Sequence, residues 1–293
     1  NRKGGIESDL TVTRTGEDAF FVVTAAAAEN RDLSWLKRAA RGRRIDITNV
    51  TDRMAMIGLM GPNSRKVLAQ LTSVGLDNEL FAFGTSRRLE VAGVDVTAMR
   101  MSYVGELGWE LYVGNDDAVT VYDALVEAGS GHGMVHAGYH AMNSLRLEAG
   151  MRHWGHDITD EDTPLEAGLG FAISWDKDAD FVGREALESQ RGKPRSKRLI
   201  QFRIEDPHLL TYHDEPIYRD GVVVGRTSSS MWSATQERCC AMGYLEHPDS
   251  EAVSNDWLAA GTWETNIAGT RVPVSTSIRS WYDPQNRRPH LEN

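Results

Sequence analysis

The chain has 293 residues, 41% hydrophobic and 25% charged, which is the balance of a water-soluble globular protein long enough for two domains. Its net charge of −10 argues against nucleic-acid and anionic-membrane partners, whose phosphates it would repel. No apolar run approaches the roughly eighteen residues of a bilayer span, and no secretory n- and h-region opens the chain. The two cysteines, Cys239 and Cys240, are adjacent and cannot staple distant segments, so an oxidising compartment is not implied. The expected setting is the cytoplasm, or the mitochondrial matrix in a eukaryote.

Asp9 to Thr24 reads as a hairpin, with LTVTR and AFFVVT around a Thr15-Gly16-Glu17-Asp18 turn. Asn30 to Ala40 has Leu33, Leu36 and Ala40 at helical spacing. Ala55 to Met60 is a short apolar strand, broken at Gly61-Pro62, where proline opens a helix carrying Val67, Leu68 and Leu71. Leu89 to Tyr103 and Trp109 to Val113 read as strands flanking a Gly105-Glu106-Leu107-Gly108 turn. Side chains alternate along a strand, so Trp109, Leu111 and Val113 share one face while Glu110 and Tyr112 share the other. Asp116 to Ala128 is a helix with Val119, Tyr122 and Val126 on one stripe and Gly129 as its stop.

Gly138 to Ala149 is a second such helix, with Ala141, Met142, Leu145 and Ala149 on one face and Gly150 as its cap. Thr163-Pro164-Leu165-Glu166 is a capping box that begins another, and Phe181 to Gln190 supplies a short one. RGKPRSKR, Arg191 to Arg198, is basic and polar and reads as a linker. Beyond Leu199 the pattern turns to strands: LIQFRIE, PIYRDGVVVGR around Asp220-Gly221, CAMGYLE and RVPVSTSIR. Short strands with turn signals suggest a small barrel or sandwich. Strands and helices mix without regular βαβ spacing, so the fold class is α+β rather than doubly wound.

Several residues carry chemistry. Glu7 and Asp9 sit two apart after Gly4-Gly5, where a carboxylate can orient a reacting amine or accept its proton. Glu110, with a tyrosine nearby, can hydrogen-bond a flat heterocycle that stacks on the ring. His153, His156 and Asp157 lack a convincingly spaced third metal ligand and read as a structural turn. The glycine-rich Gly129–Gly133 run ends a helix rather than following a strand, so it is no dinucleotide fingerprint. Cys239 and Cys240 on one strand should alternate, one in the core and one exposed.

GGIESDL (Gly4–Leu10), YVGELGWE (Tyr103–Glu110), NSLRLEAG (Asn143–Gly150) and TPLEAGLGF (Thr163–Phe171) occur in that order. Together they resemble the aminomethyltransferase (glycine cleavage T-protein) family of tetrahydrofolate-binding proteins. RHWGHDIT followed by TPLEAGL looks most like the C-terminal folate domain of dimethylglycine and sarcosine dehydrogenases. The resemblance implies a T-protein-like folate-binding α/β region over residues 1–190, lacking its natural N-terminal part. A small C-terminal antiparallel β-barrel would follow over 198–293. It places the family's catalytic aspartate at Asp9, its pteridine contacts at Tyr103 and Glu110, and a further contact from the C-terminal tail at Tyr282.

Three positions depart from the T-protein pattern: Ser8 stands where the motif has a first acid, Ala25 where it has asparagine, and Met142 where it has arginine. These bear on the amine more than on the folate. The resemblance therefore implies capture of the methylene group of an oxidised N-methyl amine, dimethylglycine or sarcosine, as 5,10-methylenetetrahydrofolate. The substrates would be the small-molecule amine or its imine, with FAD held only in a separate or missing flavoprotein domain or subunit. The basic linker reads as a solvated connection or, second, as a seat for the folate glutamate tail. The alternatives are a stand-alone glycine cleavage aminomethyltransferase, a non-catalytic folate-binding module, and a demethylase of a sulfur or oxygen methyl donor.

Overall fold

Strand segments that alternate in polarity bury one face, and the first half of the chain uses this to build a sheet under helices. In the computed structural model, which describes residues 1–292, Asp9–Ala137 and the residues from Gln285 onward form one compact unit. β1 (Leu10–Arg14) and β2 (Phe20–Thr24) form the expected hairpin, with Val12 opposite Val22. α1 (Glu29–Ala39) follows, half-burying Leu33 and Leu36. β3 (Met54–Met60), α2 (Ser64–Leu68), β4 (Ser86–Val91), β5 (Val94–Met99), β6 (Gly108–Gly114) and α3 (Ala118–Gly129) complete the unit. The strands pair antiparallel in the order β3-β6-β5-β4. Leu59, Val96, Ala98, Trp109, Leu111 and Val113 pack from the sheet against Val67 and Leu68 of α2 and Val121 and Leu125 of α3.

Three expectations need correction. The long Leu89–Tyr103 strand is two strands, because Ala92 (φ 52°) and Gly93 (φ 82°) turn the chain back on itself. An Ala-Gly turn requires a left-handed alanine, so it carries little signal in a sequence. The link to β6 then runs over residues 100–107, leaving Tyr103 in a loop rather than on a strand. α3 buries Val121 and Leu125, whereas Val119 is 69% exposed and Tyr122 44% exposed, so the expected stripe faces solvent. The helix after Gly61-Pro62 starts at Ser64, after an Asn63 N-cap position.

Two buried arginines hold this core to the end of the chain. Arg100, 1% exposed, donates from Nη1 to the Phe81 carbonyl (2.5 Å) and from Nη2 to that of Pro289 (3.2 Å). Arg65 donates to the carbonyls of Leu76 (2.9 Å) and Leu291 (2.8 Å) and to Asn78 Oδ1 (2.9 Å). Both guanidinium groups lie about 6 Å from the Trp109 ring centroid, at 6.0 and 5.7 Å, where cation–π attraction helps to offset their burial.

Asn1–Ser8 and Gly138–Pro284 form the second unit. Its elements are α4 (Tyr139–Glu148), α5 (Arg184–Gln190), β7 (Lys197–Ile204), β8 (Pro216–Arg219), β9 (Val222–Ser233), β10 (Arg238–Glu246), α6 (Asn255–Ala260), β11 (Trp263–Ile267) and β12 (Thr270–Ser277). The strands close an antiparallel barrel in the order β10-β7-β12-β11-β8-β9, which settles barrel over sandwich. Asp220 (φ 51°) and Gly221 (φ 83°) form the expected hairpin turn. β11 and α6 were not legible in the sequence, although Ser254 caps α6 by accepting from the Trp257 amide (3.1 Å). Ile200, Phe202, Ile204, Ile217, Cys239, Ala241 and Leu245 are among the side chains that fill the barrel.

Cys239 and Cys240 are both buried, at 0% and 2% exposure. The expected exposed partner is absent because α4 covers the outside of β9 and β10, so the outward row of β10 meets protein too. Burial, with Cys239 and Glu148 adding to it, pushes the Cys240 thiol up to about 12. The Thr163 capping box is real: Thr163 N and Oγ1 donate to Glu166 Oε2 (2.9 and 2.8 Å). It opens only one turn, however, because Gly168 (φ 71°) ends it.

Candidate functional site

The register of β6 decides which side chains can meet a ligand. Glu110 lies opposite Gly58 of β3 and Met99 of β5, and Tyr112 lies opposite Met56 and Thr97. These residues share the sheet face turned away from α2 and α3. The Tyr112 hydroxyl donates to Glu110 Oε2 at 2.6 Å. Glu110 Oε1 has no hydrogen-bond partner among the described residues and is not sealed from solvent. Gly58 is exposed, and a Cβ there would meet only Met60 Cε at 3.9 Å. The strip beside Glu110 is therefore open down to the backbone of β3. A planar heterocycle can lie against that strip and offer N–H donors to Oε1. These residues fit the pteridine that the resemblance implies, since they leave one carboxylate oxygen to accept and an open surface for a planar ring.

The β1–β2 hairpin packs on this same face. Phe21 meets the Tyr112 ring edge-on, with centroids 5.2 Å apart, and Thr13 Oγ1 lies 3.4 Å from Met99 Sδ. Asp9 immediately precedes β1, at the end of the hairpin away from its turn. Its carboxylate is reached by solvent, yet the protein around it raises its pKa by desolvation. That direction suits a group that holds or passes a proton. Glu7, the other acid of the pair, belongs to the barrel unit. Trp109 is 0% exposed on the opposite sheet face, edge-on to Phe81 (6.1 Å), so its ring is not available to a ligand at Glu110.

Tyr103 sits half-buried in the 100–107 loop of the sheet unit. Tyr282 belongs to the barrel unit, where its amide donates to the Glu148 carbonyl (3.2 Å) at the end of α4. Glu148 is 1% exposed and accepts from Ser233 (2.5 Å) and Thr235 (2.7 Å), which ties α4 to β9. RHWGHD is a structural turn. Asp157, 0% exposed, accepts Arg146 Nη1 (2.5 Å), the His153 amide (3.0 Å) and the Ser228 hydroxyl, while Arg146 Nη2 donates to Ser229 (2.8 Å). Burial lowers the His153 pKa, with His156 and Arg146 acting in the same direction. Among the described residues no group of three or more His, Cys, Asp or Glu is placed to hold a metal ion.

The barrel unit also holds a polar cleft of about 780 Å³, lined in part by His156, Asp162, Lys197, Arg226 and Tyr244. Size alone would favour it, but both of its basic side chains are already paired, Lys197 with Asp162 (2.7 Å) and Arg226 with Asp214 (3.3 Å). Glu110 is the better candidate on chemistry. Tyr112 is the residue that sequence reasoning placed on the right face but gave no role. Its position two residues from Glu110 on one strand was the available signal.

The model of the GCVT N-terminal domain matches residues 1–177, and that of the glycine cleavage T-protein C-terminal barrel domain matches residues 197–283. The chain belongs to the glycine cleavage T-protein family. The T-protein family binds tetrahydrofolate and catalyses folate-dependent one-carbon transfer. The two matches bracket the basic linker, whereas compactness groups Gly138–Pro284 with the first eight residues.

Among T-protein relatives, 4-methylaminobutanoate oxidase (formaldehyde-forming) of Paenarthrobacter nicotinovorans is 40% identical over 98% of this chain and 34% of its own length. Human mitochondrial sarcosine dehydrogenase is 35% identical over 98% of this chain and 33% of its own. The chain thus spans about a third of the length of these curated relatives. The crystal structure of glycine cleavage system aminomethyltransferase T from Bartonella henselae superposes with a TM-score of 0.80 at 25% identity, covering 94% of this chain and 72% of that one. Among the described residues no helix is long and apolar enough to cross a membrane.

Proposed function

We propose that this chain transfers the methylene carbon of an oxidised N-methyl amine, dimethylglycine or sarcosine, to tetrahydrofolate, giving 5,10-methylenetetrahydrofolate and the demethylated amine. The observation that carries the reading is the open strip at Gly58 beside Glu110 Oε1. The choice of amine is supported by the relatives, two of which are named for N-methyl amine substrates and match nearly all of this chain. Tetrahydrofolate, when bound, supplies the nucleophilic nitrogens that take the carbon.

In this reading Glu110 Oε1 accepts from the pterin edge and fixes its orientation, with Tyr103 of the same unit as a further contact. Asp9, a carboxylate whose proton affinity is raised by desolvation, takes up or moves the proton that leaves a folate nitrogen. The imine hydrolyses in water, so positioning and exclusion of water matter more than strong acid–base catalysis. Oxidation of the amine belongs to a flavoprotein domain or subunit outside this chain.

Two variants test the assignment. Glu110→Ala should weaken tetrahydrofolate binding tenfold or more in calorimetric titration, since a hydrogen bond to a charged group contributes about 1.5–3 kcal/mol. Asp9→Asn should bind tetrahydrofolate normally but slow transfer from an enzymatically generated imine. Unchanged transfer would remove Asp9 from the mechanism. A stand-alone aminomethyltransferase acting on a lipoyl-bound aminomethyl group is the competing reading, favoured by the fold match to the Bartonella protein. Ser8, Ala25 and Met142 weigh against it, and turnover of an aminomethylated lipoyl carrier would decide for it. Tetrahydrofolate binding with no transfer from either donor would mark a non-catalytic module.

A further inference from the structure

A carboxylate on a strand that accepts from a ligand faces an orientational problem. Glu has three rotatable bonds, and ordering them opposes binding. In this chain the ordering is already done. Tyr112 is 5% exposed, its ring is held edge-on by Phe21 of the β1–β2 hairpin, and its hydroxyl donates to Glu110 Oε2 at 2.6 Å. The bond occupies one oxygen and leaves the other, Oε1, to the open strip at Gly58.

The arrangement is directional. A phenol hydroxyl has one proton, and here it is given to Oε2, so Oε1 is the oxygen left to accept from a ligand. Burial and the neighbouring Glu110 both raise the Tyr112 pKa, so the phenol stays a donor throughout the range in which proteins function. The hairpin that bears Asp9 therefore also holds, through Phe21 and Tyr112, the carboxylate proposed to receive the pterin.

We infer that Tyr112 is a positioning residue that pre-orients Glu110 as a donor-selective acceptor, favouring reduced pterins with an exocyclic amino group over analogues that lack it. The inference rests on the folate reading of the Glu110 face. Tyr112 itself touches Glu110 rather than the ligand.

The test compares two ligands by calorimetry on the full chain, tetrahydrofolate and a 2-desamino-2-methyl analogue that cannot offer the exocyclic N–H. The variants are Tyr112→Phe and Glu110→Ala, each checked for an unchanged thermal transition. Tyr112→Phe keeps the ring and its contact with Phe21 and removes only the hydroxyl. It should lower the preference for tetrahydrofolate over the analogue about tenfold, the size expected of one charge-assisted hydrogen bond. Affinity for the analogue should stay within twofold of the parent chain, a pattern that a purely structural role of the hydroxyl would not give. Glu110→Ala should abolish the preference.

If Glu110→Ala abolishes the preference and Tyr112→Phe leaves it intact, the positioning role is overturned and the folate site stands. If Tyr112→Phe weakens both ligands equally, its role is structural and the inference fails. Should Glu110→Ala change neither affinity, the folate reading of this face falls, and this inference with it.

Discussion

Asp157 illustrates what a buried charge needs to be kept. It is fully enclosed, and it meets that cost with a guanidinium, a backbone amide and a hydroxyl from three separate segments. Breaking a buried pair on one side leaves the other charge uncompensated, at a cost of about 3–5 kcal/mol. Asp157→Asn, which keeps the size and removes the charge, should therefore lower stability by that order, read as a shifted midpoint in urea denaturation at constant slope. The sequence suggested that His153, His156 and Asp157 form a turn. It did not reveal that Arg146 of α4 joins that turn in one network, donating to Asp157 and to Ser229 on β9. Glu110 and Tyr112 were assigned to the correct face because strand alternation is strict. Their hydrogen bond was out of reach, because alternation places side chains on a face without setting their rotamers.

At the level of elements, the glycines of β9 and β10 mark where two strands come closest. The register between them shifts at Met242/Gly243. A Cβ on Gly243 would stand 2.0 Å from the Arg226 carbonyl, and one on Gly225 2.1 Å from that of Tyr244. Backbone cannot yield as a side-chain end can, so Gly243→Val should force the strands apart there. The expected cost is about 1–3 kcal/mol or more, read as a lowered thermal midpoint with faster exchange of the flanking β9 and β10 amides. The elements that sequence reasoning found share a strong local signal: the β1–β2 hairpin, the Asp220-Gly221 turn, and α4 with its Gly150 cap. Those it misjudged depend on tertiary context. The α3 stripe failed because Val119, Tyr122 and Val126 are as helically spaced as the true face through Val121 and Leu125, and only the sheet chooses between them. β11 failed because WETNI carries too few apolar residues to show without its neighbours β8 and β12.

For the whole molecule, the family and the fold were legible because four motifs stand in register along the chain, a pattern far more specific than any one of them. The grouping of chain ends was not legible, since no local signal says that Asn1–Ser8 travel with residues beyond Gly138. Ile6 is held there from both sides, its amide donating to the Asp162 carbonyl and its own carbonyl accepting from Trp154 Nε1, each at 2.9 Å. Residues beyond Gln285, in turn, travel with the sheet unit, through Arg65 and Arg100. Each unit is thus closed by contacts between residues far apart in sequence: 148 positions for Ile6 and Trp154, 189 for Arg100 and Pro289, 226 for Arg65 and Leu291. A contact of that span orders a long loop before it returns any stabilisation. Local hairpins and helices can form early, but neither unit is complete until its distant segments meet, and that docking sets the pace of folding.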